Sequence, residues 1–125
     1  MAHGMVMQLK DVEEVPAHQR PVPVGYKILC SLIEIEEKTT GGIYLTNKQR
    51  QEERTASQIL KVVAMGSEAY QDEEKFPAPW CTIGDYIVVR PFAGVRIMVK
   101  EQEFRLIDED MVEAVIPDPT LVTSL

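Results

Sequence analysis

Short runs of β-branched and aliphatic residues, separated by turns rich in Gly, Pro and Asp, recur along the chain from Val22 onward. Runs of this length and composition are typical of strands, and no stretch carries the apolar stripe of a long amphipathic helix. We predict six strands, at residues 26–36, 58–63, 85–90, 95–100, 103–107 and 114–116. Within 26–36 the apolar parity shifts near residues 32–33, which suggests a bulge or a strand buried on both faces. Within 95–100 apolar and charged positions alternate, which predicts one apolar face. Six short strands separated by such turns indicate an all-β fold, a small barrel or a sandwich.

The strands are flanked by an N-terminal arm and a C-terminal tail. Residues 1–20 keep neither helical nor alternating periodicity, and we assign them to the arm, with a short helical or extended piece at 5–9. The domain itself is placed at 21–117 and the tail at 118–125. Chain ends are usually poorly ordered unless they dock onto another surface.

Two long connections interrupt the strands, at 37–56 and at 66–84. Loops of this length inside a compact domain are usually functional or disordered. The first connection is polar except for one apolar island, Ile43, Tyr44 and Leu45, which follows a flexible pair of glycines. Burying an Ile or Leu side chain is worth roughly 1.5–3 kcal/mol relative to leaving it exposed. The island therefore either folds back onto the domain or orders in the groove of a partner.

Composition and charge exclude several classes of function. The 125 residues include 13 Lys and Arg against 20 Asp and Glu, a net charge of −7, so we expect no basic face for nucleic acid. No run approaches the roughly 18–20 apolar residues that cross a bilayer. The N-terminus also lacks the pattern of a signal peptide. We therefore expect a cytoplasmic protein that binds neither nucleic acid nor membrane.

Residues suited to catalysis or metal binding are also scarce. The two histidines, His3 and His18, lie in the arm, so the domain has no histidine for nucleophilic catalysis. Cys30 and Cys81 match no metal-binding spacing, and we expect both to be reduced and partly buried. No glycine-rich phosphate-binding motif occurs. We predict that the chain is not an enzyme and holds no metal or cofactor.

Several segments, in a fixed order, carry a family resemblance. They are PVPV at 21–24 with KIL at 27–29, EEKTTGGIYLT at 36–46, ILKVV at 59–63, IGDYIV at 83–88, FRLI at 104–107 and DMVEAVI at 110–116. Each piece is weakly specific by itself. Together, at this spacing, they resemble the GroES-type co-chaperonins over about three-quarters of the chain.

The resemblance implies a small irregular β-barrel of the GroES type and a ring of identical subunits, usually seven. In such a ring the opening segment of one subunit pairs with the last strand of its neighbour: Val22, Pro23 and Val24 with Ala114, Val115 and Ile116. The family's mobile loop, which binds a GroEL-type chaperonin, corresponds to Gly41, Gly42, Ile43, Tyr44, Leu45 and Thr46. The ring would cap the folding chamber in a cycle driven by ATP, which the chaperonin binds. The connection at 66–84 lies where the family has its roof hairpin.

The chain also departs from the family pattern. The arm and the tail have no usual counterpart, Tyr44 replaces a commonly small aliphatic residue, and Ser57 stands in place of a glycine. These departures suggest a specialised, virus-encoded version that acts in a host cytoplasm. The alternative is a structural protein of a virus particle, a capsid cement or tail adaptor built on the same barrel, whose arm and tail clasp neighbouring subunits.

Overall fold

The computed structural model describes residues 15–33 and 58–121, together with the backbone of two further strands. The strands are β1 (Val6–Leu9), β2 (Lys27–Leu32), β3 (Ile35–Lys38), β4 (Ile59–Met65), β5 (Tyr86–Val88), β6 (Val95–Val99), β7 (Gln102–Asp108) and β8 (Ala114–Ile116). Three short 3-10 turns are η1 (Ala17–Gln19), η2 (Glu109–Met111) and η3 (Pro119–Leu121). No helix in this part of the chain is long and apolar enough to cross a bilayer.

Six of the strands form one antiparallel sheet in the order β6-β7-β2-β4-β5-β8. β1 and β3 form a separate antiparallel pair. The prediction of an all-β fold of the GroES type is confirmed, and each of the six predicted strand regions contains a strand. The sheet is open, however, since no ladder in the described part of the chain joins its two edge strands, β6 and β8.

The position of β2 at the centre of the sheet explains why the apolar residues in 26–36 do not alternate regularly. Four consecutive residues, 28–31, are buried, because β2 lies between β7 and β4 and both of its faces are covered. Its register with β4 shifts between Leu29 and Cys30, which marks a β-bulge. The bulge expected near residues 32–33 is instead the point where β2 ends, and the chain resumes as β3.

The larger hydrophobic cluster covers one face of the sheet. It includes Ile28 and Cys30 of β2 and extends into Tyr70 and Phe76, which lie in the connection between β4 and β5. Phe76 is 1% exposed. The connection predicted as a long loop at 66–84 therefore forms part of the core.

A smaller cluster is built from side chains that alternate with those of the larger one, and so lies on the opposite face. It contains Leu29 of β2 and Phe104 of β7, and Val15 packs with them. The backbone N–H of Val15 donates to the side-chain oxygen of Gln102 at 2.7 Å. The C-terminal part of the arm is thus attached to the first residue of β7.

Candidate functional site

The predicted ring-forming segment Val22, Pro23 and Val24 lies on the surface, just before β2. Val22 and Val24 are 81% and 74% exposed, whereas Pro23 is buried. This alternation is that of an extended segment with one side on the domain and the other in solvent. The segment belongs to no ladder of the described chain, so it presents two valines to solvent on the same side.

The turn that follows fixes the position of this segment. The backbone N–H of Lys27 donates to the carbonyl of Val24 at 3.1 Å, and Gly25 adopts a left-handed φ of +60° that favours glycine. Gly66 packs so closely here that a Cβ added to it would lie 2.2 Å from the Gly25 oxygen. A side chain at Gly66 would collide with this turn, and one at Gly25 would strain its left-handed backbone, so the path from Val24 into β2 is tightly constrained.

β8 contains the other half of the predicted interface and forms one edge of the six-stranded sheet. On its inner side it pairs with β5, with the partners Tyr86↔Ile116, Ile87↔Val115 and Val88↔Ala114. Its outer side belongs to no ladder among the residues that the structure describes. Ala114 is exposed, and Val115 is 43% exposed. No ladder joins residues 22–24 to β8 within the described chain.

The predicted chaperonin-binding residues lie outside the described residues. They are Gly41, Gly42, Ile43, Tyr44, Leu45 and Thr46. β3 ends at Lys38, so two residues, Thr39 and Thr40, separate this strand from the first of them. The connection predicted at 37–56 therefore begins inside β3.

The second connection, between β4 and β5, contains no strand and packs through three aromatic rings. The ring of Phe76 lies edge-on to those of Tyr70 and Trp80, with centroid distances of 4.9 and 4.8 Å. Glu109 of η2 accepts two hydrogen bonds from Tyr70, one from the hydroxyl at 2.7 Å and one from the backbone N–H at 2.9 Å. Sequence analysis missed this packing. The available signal was that three of the chain's eight aromatic residues fall at 70–80.

Both cysteines are free and buried, in agreement with the prediction. Burial raises the pKa of the Cys30 thiol well above its usual range, and burial also raises the pKa of Cys81. The Tyr70 hydroxyl lies 3.5 Å from the Cys81 sulfur, and burial is again the main reason why the pKa of Tyr70 is raised. The three groups therefore stay protonated near neutral pH, and neither cysteine supplies a thiolate nucleophile.

A buried ion network lies where β6 and β7 meet. Arg105 is 1% exposed and donates to the Glu103 carboxylate at 3.1 Å, while Arg96 donates to the other oxygen of Glu103 at 2.9 Å. Arg105 also donates to the carbonyl of Ala93, in the turn before β6, at 3.3 Å. Sequence analysis missed this network, because charges at alternate strand positions usually indicate a solvated face.

A surface pocket of about 460 Å³ lies beside the start of β8. Its lining residues are Arg90, Pro91, Ala93, Asp110, Met111 and Glu113. Arg90 donates to the Glu113 carboxylate at 2.9 Å, so these two lining charges are paired. The described ranges contain no group of three or more side chains placed to hold a metal ion. The exposed segment 22–24 and the outer edge of β8 are surfaces of a kind that pairs with extended chains.

Comparison with known proteins identifies the family to which these segments belong. Residues 21–116 match the family described as Chaperonin 10 Kd subunit. The chain belongs to this family. The protein named Co-chaperonin GroES from Anoxybacillus flavithermus is 33% identical over 94 residues, which cover 75% of this chain and 96% of that relative. Its namesake from Natranaerobius thermophilus is also 33% identical over 94 residues, covering 75% and 95%. The one from Thermotoga neapolitana is 31% identical over 97 residues, covering 78% and 96%.

Membership of this family confirms the resemblance to the GroES-type co-chaperonins. The chain is a co-chaperonin of this type and not an enzyme. The family match begins at residue 21, after η1, and ends at residue 116, with β8. Strand β1 and turn η3 therefore lie outside the part of the chain that the family accounts for.

Proposed function

We propose that this co-chaperonin assembles into a ring of identical subunits and caps a GroEL-type chaperonin in the cytoplasm. Seven subunits is the number that the resemblance implies. Ile43, Tyr44 and Leu45 bind the chaperonin, and the chaperonin binds the ATP that drives the cycle. The observation that carries the proposal is the match of residues 21–116 to the chaperonin 10 Kd subunits.

The surface of the subunit supports assembly through residues 22–24 and β8. Val22 and Val24 expose most of their apolar side chains, and β8 has an outer edge that no described strand occupies. Burial of apolar area is worth roughly 25 cal/mol per Å². Pairing an extended segment with a sheet edge also satisfies backbone donors and acceptors that solvent would otherwise hydrate. Contact between these two surfaces in neighbouring subunits thus stabilises a ring.

The sequence of the first connection supports binding through Ile43, Tyr44 and Leu45. Three apolar side chains on a glycine-flanked, polar segment have the composition of a linear anchor that orders in a partner's groove. One such anchor binds weakly, because ordering the segment costs entropy. A ring repeats the anchor, and the effective concentration of the remaining copies strengthens the complex after the first has bound.

Replacing two anchor residues tests the binding role directly. We expect Ile43→Ser/Leu45→Ser to abolish ATP-dependent binding to a GroEL-type chaperonin, because the apolar contact surface is lost. The control variant Ile43→Val/Leu45→Ile keeps that surface and should still bind. Native mass measurement of each variant, with and without chaperonin and ATP, reports ring assembly and capping separately. Capping by the serine variant would contradict the anchor assignment.

A structural role in a virus particle is the alternative function. The observation that favours it is that β1 and η3 lie outside the family match and could clasp neighbouring proteins. A refolding assay separates the two functions, since a lid restores folding by a GroEL-type chaperonin that lacks its own lid. A protein that stays monomeric and does not respond to chaperonin and ATP would favour the structural role.

A further inference from the structure

The arm contains a strand that pairs with the chain just before the predicted chaperonin-binding residues. β1 and β3 are antiparallel, with the partners Val6↔Lys38, Met7↔Glu37, Gln8↔Glu36 and Leu9↔Ile35. All four residues of β3 have a partner in this ladder. The ladder ends at Lys38, and only Thr39 and Thr40 separate it from Gly41, the first of the predicted chaperonin-binding residues.

β3 lies beyond the main sheet, so β1 is its source of order within the described chain. The ladder between β2 and β4 ends at the pair Leu32↔Leu60, before β3 begins. Among the described ladders, β3 takes part only in the one with β1. Without β1, the backbone hydrogen-bonding groups that β3 uses in this ladder would be left to solvent.

β1 is also in contact with the C-terminal turn η3 (Pro119–Leu121). A two-stranded antiparallel pair is at best marginally stable by itself in water and needs a surface to pack against. Pro119 of η3 is buried, which indicates a packed rather than a solvated turn. The two elements outside the family match, β1 and η3, are therefore in contact with each other, and β1 pairs with β3, which lies within the family match.

We propose that β1 is a positioning strand that holds the root of the chaperonin-binding segment in place before the chaperonin arrives. This inference rests on the proposed binding by residues 41–46. Fixing a backbone has an entropic cost, and a segment whose root is already ordered loses less freedom when it binds. The gain recurs in every subunit of a ring, so a small effect in each chain becomes a large effect on capping.

Proline substitutions in β1 test this role. Proline lacks a backbone N–H. Successive N–H groups point to opposite sides of a strand, so one of the two residues 7 and 8 donates towards β3. Met7→Pro/Gln8→Pro therefore removes a ladder donor in either case. We expect the affinity for a GroEL-type chaperonin with ATP to fall by about tenfold or more, with the mass of the ring unchanged. Hydrogen exchange of residues 35–38 should accelerate in the same variant. The matched control Ala2→Pro/His3→Pro places both prolines before β1 and should bind normally.

A disulfide cross-link between β1 and β3 tests the opposite change, since it fixes the ladder that the prolines disrupt. Gln8→Cys/Glu36→Cys joins two register partners, and after oxidation it should bind the chaperonin at least as tightly as the unmodified chain. Failure of the two cysteines to cross-link, or binding by the proline variant within about twofold of normal, overturns the positioning role. Tighter binding by the proline variant also overturns it, since β1 would then restrain the segment. If Ile43→Ser/Leu45→Ser binds normally, the proposed function itself fails, whatever the proline variant does.

Discussion

The two edges of the six-stranded sheet differ in how they are protected from pairing with another chain. β6 carries Arg96 and is followed by Lys100, and Arg96 is held by Glu103 of the adjacent strand. Charged side chains on an edge strand oppose edge-to-edge association. β8 contains only Ala114, Val115 and Ile116, and the charged residue before it, Glu113, is paired with Arg90. Its remaining protection is its short length and Pro117, which follows it.

Apolar exposure does not separate these two edges. Val95 and Met98 of β6 are 59% and 57% exposed, whereas Val115 of β8 is 43% exposed. The difference lies in charge and in the neighbouring chain, because Val22 and Val24 offer an extended apolar segment of the kind that could add to an uncharged edge. This contrast supports the proposal that subunits join at β8 rather than at the longer β6.

Placing charge separately on the segment 22–24 and on the β6 edge tests this comparison most directly. We expect Val22→Asp/Val24→Asp to eliminate the ring, because two carboxylates on the docking segment would be buried against β8. The matched variant Val95→Asp/Met98→Asp changes two exposed apolar residues at the β6 edge and should leave the ring intact. Native mass spectrometry checks both. Loss of the ring only in the β6 variant would reverse the assignment of the edges.

A second comparison concerns the cores near the two edges. Ile87 of β5, next to β8, is 0% exposed, while Ile97 of β6 is only partly buried. We expect Ile87→Ala to lower the free energy of unfolding by about 3–4 kcal/mol, since it leaves a cavity in a covered site. Ile97→Ala should cost about 1 kcal/mol, because solvent already reaches that side chain. Urea denaturation of both variants measures the difference, and equal losses would contradict it.

The ion network near β6 provides a third test. Glu103→Ala removes the carboxylate that both Arg96 and Arg105 use and leaves the buried Arg105 guanidinium without this partner. We expect a loss of about 2–3 kcal/mol in the free energy of unfolding, because a buried charge loses its ion pair but keeps other hydrogen bonds. Arg96→Ala, at the more exposed end of the network, is the control and should lower the free energy of unfolding by about 1 kcal/mol at most. A denaturation midpoint for Glu103→Ala equal to that of the control would argue against a stabilising network.

Alkaline pH gives the smallest expected effect. Burial holds the pKa of Cys30 above its usual value, so the folded chain keeps a proton that the unfolded chain loses above about pH 8.5. The corresponding stability is complete below that pH and decreases above it, by about 1.4 kcal/mol per pH unit for one such group. Cys81 and Tyr70 act in the same direction. In Cys30→Val the free energy of unfolding, measured by urea denaturation, should decrease less steeply between pH 8 and 10. An unchanged slope would contradict the role of this thiol.

Much of the fold followed from local pattern. The alternation in 95–100 predicted a strand with one apolar face, and β6 agrees in part: Ile97 and Val99 are partly buried and Arg96 is exposed, but Val95 is exposed as well. The shift in apolar parity within 26–36 predicted a bulge or a strand covered on both faces. β2 is covered on both faces, and its bulge lies between Leu29 and Cys30 rather than near residues 32–33. Such patterns succeed because the period of the strand is fixed by backbone geometry.

The candidate site was less predictable than the strands. The exposure of Val22 and Val24 beside a buried Pro23 depends on the turn at Gly25 and its contact with Gly66, which are 41 positions apart in the chain. The pairing of β1 with β3 likewise joins segments that no periodicity relates. Sequence patterns describe faces of single elements, and they carry little information about which distant elements meet.

Local sequence supported two conclusions about this protein. The order of apolar runs and turns indicated an all-β fold, and the ordered segments carried the resemblance to the GroES-type co-chaperonins. Both signals are contained in short stretches of the chain. Only the tertiary structure decided that the connection at 66–84 packs into the core, that Glu103 and Arg105 are buried, and that the arm's β1 pairs with β3. Each of these depends on contacts between residues far apart in sequence. Burial, and with it the pKa of a thiol or the role of a charge, is a property of the surroundings that the fold assembles around a residue.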